Sequence, residues 1–299
     1  MSHSPNPYRP AHLAQTAGRN GAAFVRRAFA MMFVLCLGAL LCAVPVQAAD
    51  RAKLEAFLEV TGFGVALDSI ALSASDAPAM LGLEKDAFGS SWTSTAQKVF
   101  DTELMRETAI EILAATLEDD LLAHAAGFYA SPLGLRLVET ENASHLDDSG
   151  KPYEEGQKIF ADLVQGGSER ITYFKRMNAA IDSSDTSVRA VQEIQVRFLM
   201  AAAAAGVIDM TMDEPDLRAA LKADEGQMRR DMQMNSLINT AYVYRDFTDA
   251  EVLTYTEALE DERMKTVYDL MNAVQYEIMA QRFEVLAGEM AGLEAGQEL

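Results

Sequence analysis

Past residue 48 the 299-residue sequence has no cysteine, since its only two, Cys36 and Cys42, fall in an apolar stretch near the start. Beyond that point there is no disulfide, no thiol nucleophile and no thiolate metal site, so the fold has to hold by packing alone. Histidine is nearly as scarce. Only His124 and His145 lie past residue 48, too few for a three-histidine zinc site. No Glu-x-x-His occurs, which removes the motif of carboxylate-bridged di-metal bundles. A Gly-x-Ser-x-Gly elbow, a phosphate-binding loop and a dinucleotide fingerprint are absent as well. The sequence therefore nominates no catalytic residue and no cofactor, and enzyme activity is not the expected reading.

Basic residues are also in deficit, 25 against 45 acidic ones. The imbalance deepens once the start of the chain is considered. A polar, acid-free stretch leads to Arg26-Arg27, then to an almost wholly apolar run from Ala28 to Val44, then to Val46-Gln47-Ala48. That is the layout of a secretory signal, and residues 1–48 are read as one, with cleavage after Ala48. The apolar run is at the lower edge of the ~17–25 residues that a spanning helix needs. Leucines, not small residues, precede Cys36 and Cys42, so no lipid anchor is expected. Arg26-Arg27-Ala28-Phe29 resembles the core of a twin-arginine signal, and both that route and general secretion stay open. The expected location is periplasmic or secreted.

Removing residues 1–48 takes away four arginines and no acid, leaving 21 basic against 45 acidic residues, a charge of −24. Such a field repels phosphate backbones and anionic lipid, so neither nucleic-acid binding nor stable membrane insertion after signal removal is expected. The roughly 250 residues that remain are enough to bury a substantial core.

No window alternates for long with the two-residue period of a half-buried strand, whereas apolar residues at three and four spacing recur throughout. The fold class predicted is all-α, a helical bundle. Asp101 is placed to cap a helix whose face is Leu104, Met105, Ala109, Ile112, Leu113 and Thr116. Thr116 with Asp119 then reads as the start of a second helix carrying Leu121, Leu122, Ala125 and Phe128. Ser131 as a cap and Pro132 at the first helical position make a helix–turn–helix joint. Gly134, one turn on, lets a neighbouring backbone come close. This structural reading accounts for Tyr129, Ser131 and Arg136 without assigning them chemistry.

A polar loop is expected over 145–152, helices from Pro152 to Val164 and from Ser168 to about Ile181, and another opening at Asp185 or Thr186. That last one includes Ala201 to Ala205, a tight packing face ending before Gly206. An offset of 130 relates Asp119 to Asp249, Leu122 to Val252, Leu137 to Val267 and Asn142-Ala143 to Asn272-Ala273. Two divergent helical repeats are therefore expected, 49–150 and 185–299, joined by connecting helices over 151–184 within one compact domain. Thr248 to Glu251 forms a capping box in the second. The C-terminal helix carries Met264, Val267, Met271, Val274, Ile278, Gln281 and Val285, a heptad seam that serves either packing within the monomer or a homodimer.

Three further patterns bear on ligands. Glu141 and His145, four apart, form at most a two-ligand clamp and read better as a solvated helix end. His124 reads as a packed or semi-exposed core residue. Met210, Met212, Met228, Met232 and Met234 cluster within 25 residues, and thioethers suit Cu(I) in an oxidising compartment. Core filling by a flexible apolar side chain is the simpler account of them.

The segment Phe128-Tyr129-Ala-Ser131-Pro132-Leu-Gly134-Leu-Arg136, behind the acidic helix start near Asp119, resembles the bacterial family called domain of unknown function 2059. The resemblance covers residues 101–143 and, more loosely, 249–290, where the Ser-Pro-x-Gly element is lost. It implies export and an all-helical fold, and no established activity, cofactor or catalytic residue. The functional expectation is a non-catalytic module that binds a protein partner or associates with the envelope. The alternative is a carrier of a small ligand or metal, or an enzyme of unrecognised type, with a pocket between the halves.

Overall fold

The computed structural model describes residues 51–84, 88, 91–147, 149–181 and 184–294. The signal read over 1–48, with Cys36 and Cys42, lies outside them. Among the described residues all regular structure is helical. Residues 48–299 form one compact unit.

The chain begins with short helices: α1 (Arg51–Val60), α2 (Phe63–Ser69), a 3-10 segment (Ile70–Asp76), α3 (Ala77–Met80) and α4 (Trp92–Val99). Gly62, at φ 73°, makes the turn between the first two. A bent pair, 51–60 with 63–80, has the length and composition to span a bilayer, whereas no single described helix does. Leu54, Phe57, Phe63, Leu67 and Ile70 of that pair are buried inside the chain.

Next come α5 (Thr102–Thr116), α6 (Asp119–Tyr129) and α7 (Pro132–His145). Asp101 caps α5 by accepting from the Leu104 amide at 2.9 Å. The buried face of α5 is Met105, Ala109, Ile110 and Leu113. Leu104 is 47% exposed, on the side of α5 that also carries exposed Glu111 and Ala115, and Thr116 faces out, its hydroxyl donating to the Ile112 carbonyl. Thr116 therefore ends α5 instead of starting α6, which begins at Asp119 with no side-chain cap.

Helices α8 (Lys151–Gln165) and α9 (Arg170–Ile181) follow. The first lies along α12 (Glu225–Val243) and the second against α13 (Asp249–Leu259). A Cβ at Gly156 would sit 2.5 Å from the Ile238 carbonyl, so the α8–α12 approach depends on glycine. Between them run α10 (Ser184–Ala204) and α11 (Glu214–Ala223). Gly206, at φ 78°, ends α10 with Val207 donating back to the Ala202 carbonyl at 2.9 Å.

The last helix, α14 (Glu262–Glu294), is 33 residues long and so spans about 50 Å. It packs against α10, α6, α5 and α4. Met264, Val267, Met271, Val274 and Ile278 are buried as the heptad spacing predicts. Beyond Ile278 the spacing misleads: Val285 is 45% exposed, and burial passes to Ala280, Phe283, Leu286, Ala287 and Met290. A straight helix drifts by ~20° per heptad, so a 3.5-residue seam leaves the core face within a few turns. Phe283 anchors the shifted stripe, its ring 5.4 Å from Phe100 and 5.1 Å from Phe198. The seam is thus occupied by this chain's own helices.

Helices 119–129 and 249–259 stand 130 residues apart, and the next helices start at 132 and 262. Two full repeats are not confirmed beyond those two pairs: the described helices within 51–99 are short, whereas α10 and α12, ahead of the second pair, have 21 and 19 residues.

Candidate functional site

The joint at 130–132 sets the geometry of everything around it. Ser131 accepts from the Gly134 amide at 3.1 Å, and Pro132 takes the first helical position, where a missing N–H costs nothing. A Cβ on Gly134 would meet the Phe128 carbonyl at 2.4 Å and the Tyr129 Cα at 2.5 Å. Only glycine lets α7 turn back this closely on α6. Tyr129 stands at the end of α6 and Glu141 farther along α7.

Around these two residues the second half of the chain supplies three more phenols. Tyr129 is 1% exposed, Tyr255 of α13 2%, and Tyr244, just after α12, 9%; Tyr268 of α14 is half-buried. The Tyr129 hydroxyl is 3.0 Å from that of Tyr255, which is 3.2 Å from that of Tyr268. Tyr129 and Tyr268 are also hydrogen-bonded to each other. Tyr244 donates to Glu141 Oε1 at 2.7 Å. The rings pack as they bond, Phe128 stacking on Tyr255 at 5.7 Å and Tyr244 meeting Tyr255 edge-on at 5.8 Å.

Among the described residues no cation pairs with Glu141. Burial therefore dominates and pushes its carboxyl up to about 6, against the opposing pull of the Tyr244 and Tyr255 hydroxyls. Burial likewise holds the Tyr129, Tyr244 and Tyr255 phenols well above their ordinary value. The centre is made of neutral hydrogen-bonding groups around one carboxyl. Glu141 itself is half-buried, and His145 lies exposed a turn farther on. His124 is 21% exposed and its Nε2 is 3.3 Å from Asp261.

Charged contacts brace the outside of this centre. Arg136 pairs with Glu251 and lies 4.9 Å over the Phe247 ring, tying α7 to α13. The Thr248 amide first, then Arg136 and the Thr248 hydroxyl, hold the Glu251 carboxyl down at about 2. Thr248 and Glu251 form the full capping box at the start of α13. Arg170, 9% exposed, donates to the Tyr244 and Phe247 carbonyls and to Asp249, clamping the α12–α13 connection.

Two clefts open at the surface. One, of about 550 Å³, is lined by Ala71, Leu72, Ala74, Trp92, Ala96 and Phe100 together with the polar Ser75, Thr93, Gln97, Asp101 and Thr102. The other, of about 510 Å³, is polar, with Arg51, Glu55, Glu59, Glu103, Arg106 and Glu107 around Asn142. Arg51 there is committed to Glu107 and Glu55, and Arg106 to Asp68.

The methionines are spread over different surroundings. Met228 and Met232 share a half-buried face of α12, Met234 is 48% exposed, Met212 is 45% exposed, and Met210 lies half-buried in the connection between α10 and α11. Among the described residues no group of three or more histidines, cysteines, aspartates or glutamates is placed to hold a metal ion.

Tyr244, Tyr255 and Tyr268 were not legible as site residues. Each occupies a core position where the helical pattern asks only for bulk, and their separations, 11 and 13 residues, match no motif. The available signal was indirect: a tyrosine on a buried face needs a partner for its hydroxyl.

Residues 103–148, which span α5 to α7, match the family described as an uncharacterized protein conserved in bacteria, domain of unknown function 2059. This segment belongs to that family, and it carries both Tyr129 and Glu141. The match does not extend to 249–290. No curated protein and no solved structure matches the chain.

Proposed function

We propose that the chain is exported, matured by cleavage after Ala48, and works as a non-catalytic envelope protein that holds a polypeptide partner. The observation that carries this is the cleft of about 550 Å³ between the 3-10 segment and α4, in which Leu72, Trp92 and Phe100 stand among polar residues. Leu72 on its wall is 42% exposed, and Leu104, two residues past the rim at Thr102, is 47% exposed. Exposed apolar groups gathered at one concavity mark binding surfaces more often than scattered ones do. The partner chemistry follows from the charge: against a mature chain of −24, an amphipathic helix with an apolar stripe and basic flanks is the complementary occupant.

The reading predicts a mature N-terminus at Ala49 in the exported fraction, read by terminal sequencing. It also predicts that a photoreactive residue at position 72 crosslinks one polypeptide in native cells, whereas one at exposed Val164 does not. Leu72→Asp should abolish that product. Equal labelling from both positions, or an uncleaved chain in the cytosol, overturns the reading. The small-ligand alternative has its own observation in the polar cleft around Asn142, and a compound retained in native mass spectrometry would move the assignment there.

A further inference from the structure

We propose that Glu141 and the tyrosines around it form a proton-operated latch between the α6–α7 pair and the helices of the second half. The geometry is specific to that use. One carboxyl from α7 and one phenol each from α6, the end of α12, α13 and α14 converge, so five chain segments meet through polar atoms instead of through apolar bulk. Tyr244 joins α7 to the α12 end directly, and the Tyr129–Tyr255–Tyr268 triangle joins α6 to α13 and α14.

The groups facing half-buried Glu141 supply hydroxyls and no cation. From α6, α12, α13 and α14 they are phenols, all neutral near pH 7. The charged groups nearby, Arg136 with Glu251 and Arg170 with Asp249, are paired among themselves. His145, on the same helix, is exposed. With the proton on, Glu141 is a neutral member of a satisfied network. With it off, an uncompensated anion remains among rings, which favours local opening over whole-chain unfolding because the cost is confined to this junction. The raised carboxyl, at about 6, places the change within a pH range that an exported protein meets when its surroundings acidify.

The test is hydrogen exchange, read by mass spectrometry on the full mature chain and on Glu141→Gln, at pH 5 and at pH 7.5. Comparing the two proteins at the same pH cancels the intrinsic pH dependence of exchange. At pH 5 the difference between them should be only a fraction of that at pH 7.5. At pH 7.5 peptides from 119–145 and 249–278 should exchange about tenfold faster in the wild type, while 151–165 shows no difference. Equal protection at both pH values, or a difference spread evenly along the chain, overturns the latch. If Glu141→Gln does not fold, a ¹³C titration of the Glu141 carboxyl in the wild type decides. A midpoint near 6 supports the latch, and one at the ordinary ~4.3 of an exposed glutamate overturns it.

Discussion

The turn before α7 and the turn before α14 join helices of equal length by different chemistry. Both α6 and α13 have 11 residues, and each next helix starts two residues after its predecessor's C-cap. At the first turn Ser131 caps, Pro132 starts the helix, and Gly134 is in contact with the backbone of Phe128 and Tyr129. At the second, Asp261 accepts from the Arg263 amide at 2.9 Å, and the place of Gly134 is taken by Met264, 0% exposed. Two turns of the same length therefore serve two packing problems. Where α7 folds back onto α6, a side chain has no room. Where α14 runs on through the middle of the bundle, a large apolar side chain is needed.

Exchanging the two chemistries is the most severe way to break that comparison. Gly134→Met copies the second turn into the first and forces a side chain against backbone, so a loss of about 3 kcal/mol or more is expected in chemical denaturation. Met264→Ala empties a buried position in α14 and should cost about 3 kcal/mol, with partial recovery if a small apolar ligand fills the space. Equal tolerance of both changes would show that the two turns are not distinguished by packing.

A smaller effect separates the halves by titration. A carboxyl raised from 4.5 to about 6 in the folded state makes its full contribution to stability below pH 4.5 and loses it as pH rises through 6. About 2 kcal/mol is at stake. Glu141→Gln should therefore be more stable than the wild type at pH 7.5 and equal to it at pH 4, with the difference appearing across pH 4.5 to 7. The lowered carboxyls of Glu251, Glu260 and Glu284 act in the opposite sense at lower pH and are common to both proteins. The mildest change is Ser131→Ala, which removes one cap bond and should cost about 1 kcal/mol, read as a drop in thermal midpoint.

Much of the first turn was legible because capping is local chemistry: Ser131, Pro132, Asp101 and the box at Thr248 act on backbone within three residues. The face of α5 was less legible. Leu104 has the right spacing yet is exposed, since spacing tells which residues share a side and not which side the neighbouring helices cover. The seam of α14 failed at Val285 for a related reason, because a pattern of 3.5 and one of 3.6 agree over two heptads and diverge over four. The tyrosine centre was the least legible part. Four phenols separated by 11 to 115 residues carry no mutual spacing, and Glu141 in an acidic chain looks like any surface carboxylate.

By itself the sequence determined that the chain is helical, that its helices begin and end near the residues that cap them, and that no thiol holds it beyond residue 48. Those properties depend on periodicity, composition and contacts within a turn or two, all of which the linear order contains. Tertiary structure alone decided which apolar faces are covered, that Gly134 is required by a neighbouring backbone, and that one glutamate among 45 acidic residues bonds to a buried tyrosine. These depend on distances between segments up to 139 residues apart, and such distances exist only once the helices have packed.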